Sequence, residues 1–281
     1  MTVPRAMKST MFTLDGRRGV MLACMAPAAA FFFAFWLLPT ARLITVPAEK
    51  GWSAYFEILT DSRYLESILN TVLLSLVVTI ATLVIGAATG IYLARRSFRG
   101  RQTLLALLTL PLAFPGVIVG FFVILLGGRQ GLVADFTHSL GLSRVTFAYG
   151  LTGLFLAYLY FSLPRAVASY TAAAEAIDVQ LEEAARMLGA SRWHITRDVW
   201  IPQLAPTTVA CGAIVFATAM GAFGTAFTLA SKVEVLPITI YNEFTNYANF
   251  ATAAALSIAL GLITGAVLFA ARLLCGLSPA R

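Results

Sequence analysis

Six stretches of the chain, at 19–39, 67–94, 103–126, 147–170, 204–230 and 250–274, are each long and apolar enough to cross a membrane. A helix needs about 20 mostly apolar residues to span the hydrocarbon core. This feature restricts the fold more than any other. Inside lipid every backbone N–H and C=O must find a partner within the protein, and a continuous helix pairs them all within one segment. The six stretches therefore predict an all-α fold, a polytopic membrane helix bundle of about six transmembrane helices. Composition agrees, because 59% of the 281 residues are hydrophobic and only 12% are charged. An ordinary soluble domain carries about 25% charged residues. A soluble enzyme, a disordered chain and a disulfide scaffold are excluded on these grounds.

The stretches divide the chain into a cytoplasmic tail at 1–18, a transmembrane domain at 19–275 and a short tail at 276–281. Basic residues precede the first stretch and Ala26-Pro27-Ala28 resembles a cleavage site, but the apolar run continues through Phe31-Phe32-Phe33 to Pro39. That exceeds a typical signal core, so an uncleaved anchor is expected. With the N-terminus inside, 13 of the 20 Lys and Arg fall on the inner side and six on the outer, while Arg165 lies within the fourth stretch. Cytoplasmic loops are the ones enriched in Lys and Arg, which predicts both termini in the cytoplasm. The net charge of +7 follows from the same bias and does not point to nucleic acid. The segment at 171–203 is then the longest inner loop, and 40–66, 127–146 and 231–249 are the outer ones.

All 13 acidic residues lie outside the six stretches. Ion-driven carriers usually place a carboxylate within the membrane, so a self-sufficient secondary carrier is disfavoured, although backbone and hydroxyl oxygens can hold sodium. A membrane-embedded enzyme would need paired acids, a nucleophile or a metal set, and none is visible. Cys24, Cys211 and Cys275 lie in apolar runs, and the only histidines, His138 and His194, are far apart. No phosphate-cradling Gly-x-x-x-x-Gly-Lys-Ser/Thr run occurs, so any ATP used must bind to another polypeptide.

Within the longest inner loop, Asp178 is placed to cap a helix, with Glu182 and Glu183 near its positive end. Leu181, Ala184, Ala185 and Leu188 recur at helical spacing and give one apolar face. Gly189 is placed to end the helix in a left-handed conformation. Ser191 can cap a second short helix running to Val199, and Pro202 is expected to interrupt the chain before the fifth stretch. Such a helix either rests among lipid headgroups or docks, through its small residues, in a groove of another protein.

Glu183-Ala184-Ala185, three residues, Gly189, nine residues, Val199, one residue and Ile201-Pro202 resemble the EAA loop of ABC importer permeases. The family pattern is Glu-Ala-Ala-x3-Gly-x9-Ile-x-Leu-Pro, so this chain departs from it only at Val199 and Ile201. The resemblance covers roughly 66–272, and includes Asn70-Thr71 at the start of the second stretch and the late segment from Leu236-Pro237 to Phe250. It implies the type I ABC importer permease fold in the bacterial inner membrane. It also implies that the loop forms a coupling helix seated in a cytoplasmic ATPase. Glu183 would orient or pair with that subunit. Ala184 and Ala185 would allow close packing, Gly189 would make the corner, and Pro202 would set the exit into the fifth stretch, with Leu188, Ala190, Ser191 and Ile201 completing the residues that couple to the ATPase. No cofactor would bind this chain. Two copies of the ATPase would hold ATP and Mg, a second permease subunit, expected to be a related chain, would complete the path, and a periplasmic solute-binding protein would deliver substrate.

The late segment also resembles permeases for polyamines, opines, aminoalkylphosphonates or ferric iron. A polyamine-like cation or an aminoalkylphosphonate is the expected substrate, although the stretches offer cations no carboxylate. Arg165, beside Pro164, reads either as a gate or anion contact, or as a charge that snorkels or pairs with a neighbour. Pro111 and Pro115 are expected to kink the third stretch. Tyr158, with Tyr160 and Phe161, is a candidate to line the path.

Overall fold

The protein is described here by a computed structural model covering residues 24–49, 53–230 and 233–276. The expected tail at 1–18, the start of the first stretch and the last residues of the C-terminal tail lie outside the described residues. Twelve helical elements can be numbered in order. They are α1 (Cys24–Ala48), α2 (Ser53–Thr60), α3 (Ser62–Arg95), α4 (Arg101–Thr109), α5 (Gly116–Gly127) and α6 (Leu132–Ser139). There follow α7 (Leu151–Glu175), α8 (Val179–Met187), α9 (Arg192–Met220), α10 (Phe223–Leu229), α11 (Leu236–Thr245) and α12 (Phe250–Gly276). Among the described residues, six helices have the length and apolar content to cross a membrane: α1, α3, α7, α9, α12 and the pair α5–α6.

Two apolar stretches do not form the single helices expected of them. The third is broken, not merely kinked, by its prolines. After α4 comes a 3-10 turn at Leu110–Ala113 with Pro111 in its first positions, and Pro115 then caps α5 in an extended conformation. A proline supplies no N–H and drives the residue before it out of the helical region; Phe114 accordingly has φ −92° and ψ 132°. The membrane-length segment is displaced toward α6, which occupies ground expected to be loop. The fifth stretch is displaced the other way. Its helix starts at Arg192 and stops at Met220, where Gly221 interrupts the path before α10.

The bundle is organised around α3 and α7, which pack along each other. Within α3, Gly86 and Gly90 form a Gly-x-x-x-Gly pair that faces α7. A Cβ at Gly86 would lie 2.6 Å from the Ala166 Cβ, and one at Gly90 would lie 2.6 Å from the Tyr170 Cβ. Lipid tails are as apolar as leucine, so helices associate in a membrane by such close contact and not by escape from water. Helix α9 packs on both α3 and α7, and α10 fills against α5. The main core joins Val78 of α3, Val119 of α5, Leu154 and Tyr170 of α7, Val215 of α9 and Leu229 of α10. A smaller core of Ile58, Tyr64, Leu236 and Leu256 lies beside one end of α3. Large apolar side chains along the other face of α3, including Leu69, Leu73, Leu76, Ile80 and Val84, are exposed.

Candidate coupling site between α7 and α9

Helix α8 is built as its local sequence predicts. The Asp178 carboxylate accepts the Gln180 N–H at 2.9 Å and caps its start. At its end Gly189 adopts φ +81°. There the Ala190 N–H donates to the Ala185 carbonyl at 3.0 Å and the Gly189 N–H to the Arg186 carbonyl at 2.9 Å. These two bonds are the 6→1 and 5→2 pair of a Schellman corner. Ser191 then caps the start of α9, where its hydroxyl lies 2.8 Å from the His194 ring Nδ1.

Of the EAA-loop residues, Glu183, Ala184 and Gly189 are exposed, and Ala185 and Ala190 are half-buried against the core. Among the described residues Glu183 forms no ion pair. Met187 and Leu188 are 88% and 89% exposed, so the tip before the corner carries two apolar side chains with no cover among the described residues. Ser191 and Ile201 are also exposed.

Pro202 does not interrupt the chain. Helix α9 runs through it by opening a π turn at Thr196–Trp200, in which the Ile201 N–H reaches back to the Thr196 carbonyl. Inserting one residue in this way is a usual means of accommodating a local mismatch in a helix. Val199 and Trp200 lie in this turn, and Trp200 is buried.

The residues that hold the site were not apparent from the motif. Glu182 is only 8% exposed. It accepts from Arg95 Nη2 at 2.6 Å and has Arg186 Nη2 at 3.7 Å. Arg95, the last residue of α3, also donates to the Ile177 carbonyl at 3.3 Å, and its guanidinium stands 4.7 Å from the Trp200 ring. Arg101 of α4 pairs with Glu175 at the end of α7 and donates to the Leu93 carbonyl at 2.8 Å. The neighbouring Glu182-Glu183 pair signalled only a charged helix start, and Arg95 and Arg101 counted only toward topology. Arg95 and Glu182 are 87 positions apart in sequence, and no local pattern joins them.

The candidate path residues are not gathered in one place. Tyr158 is buried, with its hydroxyl donating to the Ala222 carbonyl at 3.0 Å, so it does not face open space within this chain. Pro164 is buried inside α7, and Pro115 is exposed at the start of α5. Arg165 is half-buried, well inside α7, and donates from Nη1 to the Thr218 hydroxyl of α9 at 3.1 Å. It has no acidic partner among the described residues. Asn70 and Thr71 do meet the late segment: Asn70 Nδ2 donates to the Glu234 carbonyl at 3.3 Å, and the Leu236 N–H donates to the Thr71 hydroxyl at 2.7 Å.

Residues 83–275 match the family described as the binding-protein-dependent transport system inner membrane component. Sulfate permease 2, chloroplastic, of Chlamydomonas reinhardtii is 31% identical over 84% of this chain, and the chain spans 65% of that relative. The molybdenum transport system permease protein ModB of Escherichia coli is 32% identical, over 66% of this chain and 81% of its own length. In structure, a chain of the bacterial alginate ABC transporter, crystallised with alginate pentasaccharide-bound periplasmic protein, superposes with a TM-score of 0.79. It is 19% identical, and the match covers 92% of this chain and 95% of that one. The chain belongs to the binding-protein-dependent transport system inner membrane component family. It has the fold of a type I ABC importer permease and is a multi-pass membrane permease subunit of that class.

Proposed function

We propose that this chain forms half of the translocation path of an ATP-driven importer and takes its driving force from a separate ATPase through residues 178–202. Two ATPase copies, holding ATP and Mg, would draw the α8 helices together, and a second, related permease chain would complete the path. A solute-binding protein would deliver substrate at the opposite face. The observation that carries this reading is the construction of the loop. An exposed tip of Met187 and Leu188 and an exposed Glu183 sit on a rigid corner at Gly189, while Glu182 is anchored beneath by Arg95. A short helix with apolar knobs and a free carboxylate suits a groove in a partner protein. The orientation proposed places this loop and both termini in the cytoplasm. The transport names of the relatives support a non-enzymatic role.

For substrate, we infer a small oxyanion. The Chlamydomonas relative is named for sulfate and the Escherichia relative for molybdenum, and neither name supports a polyamine. An aminoalkylphosphonate shares the oxyanion chemistry, whereas polyamine-like and ferric cations would want carboxylates along the path. The acids of the membrane-length helices, Glu66, Asp135, Glu175 and Asp198, all lie close to an end. Arg165 offers a planar cationic fork of the kind that suits oxyanions.

The test is uptake into proteoliposomes that carry the complete transporter, with ATP enclosed in the lumen and the binding protein and substrate outside. The expected result is ATP-dependent accumulation of sulfate, molybdate or a phosphonate that survives collapse of the ion gradients. Uptake without the ATPase that disappears with the gradient would overturn the importer reading in favour of a secondary carrier. Uptake of putrescine alone would overturn the oxyanion reading and leave the importer standing.

A further inference from the structure

Helix α3 is the longest element among the described residues, 34 residues without a proline, and at 1.5 Å per residue it reaches about 50 Å. Both of its ends are gripped by arginine. At its C-terminal end Arg95 binds α8 through Glu182 at 2.6 Å, the α7–α8 link through the Ile177 carbonyl at 3.3 Å, and α9 through the Trp200 ring. At its N-terminal end Arg63 donates to Glu243 of α11 at 3.0 Å, and its Nε lies 3.3 Å from Glu234. Glu243 is only 3% exposed and also accepts from the Tyr64 hydroxyl at 3.0 Å.

The grip on α11 extends down the helix. Ser67 and Thr239 share a hydroxyl hydrogen bond at 2.7 Å, Thr71 accepts from the Leu236 N–H at 2.7 Å, and Asn70 reaches the Glu234 carbonyl. Between the two ends, Gly86 and Gly90 bring the backbone of α7 close against α3. A long helix tied by polar groups at both ends passes displacement from one end to the other.

We propose that α3 is the transmission rod of this permease, with Arg95 and Glu182 as positioning residues at the α8 end and Arg63 and Glu243 at the α11 end. The proposal rests on the coupling reading of α8 given above. Movement of α8 on the ATPase is passed through Arg95 along α3, and Arg63 delivers it to α11 at the opposite face, where it sets access to the path. The EAA motif itself contains neither arginine.

The test is hydrogen exchange of the complete transporter in nanodiscs, compared without nucleotide and after trapping with ATP and orthovanadate. In the wild type, exchange should change on trapping at both 179–187 and 236–245. In Arg95→Gln and Glu182→Gln the change at 179–187 should persist while that at 236–245 falls by about tenfold, within the ordinary range of coupling between distant sites. The charge-swapped pair Arg95→Glu with Glu182→Arg should restore it in part, because the ion pair returns while the contacts of Arg95 with the Ile177 carbonyl and the Trp200 ring do not; a merely structural loss would not recover at all. Arg63→Gln should give the same split from the other end. If the wild type responds only at 179–187, or if the variants respond at both segments, the rod is wrong. If trapping changes nothing at 179–187 in the wild type, the coupling reading fails first.

Discussion

Gly189 adopts φ +81°, and a Cβ there would meet nothing within 4 Å. The position therefore selects glycine for backbone conformation and not for space. Left-handed backbone costs other residues about 1–2 kcal/mol, with asparagine the usual exception. Gly189→Val should accordingly remove the ATPase from the purified complex while membrane insertion stays normal, and Gly189→Asn should retain it. Normal co-purification of the valine variant would contradict the role given to the corner. Arg165 makes a second residue-scale prediction. Arg165→Gln should raise the apparent KM for oxyanion uptake several-fold, about 1 kcal/mol of lost attraction for a partly solvated charge, with ATPase docking unchanged. Equal KM values would assign Arg165 to structure alone. The caps at Asp178, Gly189 and Ser191 were legible in the sequence because each acts on neighbours within four positions. The Arg95–Glu182 pair was not, because a contact between helix ends distant in sequence leaves no periodic trace.

Among the elements, α3 and α7 set the frame. Gly86→Leu should force them apart, since even a Cβ would stand 2.6 Å from Ala166. Overpacking of this kind costs about 1–3 kcal/mol, and should lower the thermal midpoint of the purified chain in detergent. Gly261→Leu on α12, where a Cβ meets nothing within 4 Å, should not. Equal midpoints would mean that the α3–α7 contact does not limit stability. The element scale also explains where apolar length misled. Hydropathy locates membrane-length runs but is blind to their interior breaks. Pro111 and Pro115 divided one run, Gly221 ended another, and the π turn at Thr196–Trp200 carried α9 past Pro202. The Gly86–Gly90 spacing was present in the sequence, but its partner on α7 emerged only from packing.

At the scale of the whole molecule, scarcity of charge within the membrane remains the main clue to function. The six membrane-length helices hold their acids near their ends, and the ion pairs that join elements gather near the two ends of α3, among the described residues. The number of membrane-length helices and the all-α class were legible because lipid imposes helices on any long apolar run. Partner identity and substrate were not, because an exposed surface is shaped by a molecule outside the chain. The central claim is that the tip of α8 docks in an ATPase and does not lie on lipid. A photoreactive benzophenone amino acid at Leu188, 89% exposed at that tip, tests it directly in native membranes. The account predicts a covalent adduct with the ATPase subunit that is lost when Gly189→Val is added. Adducts with lipid alone, in membranes where the ATPase is present, would contradict it.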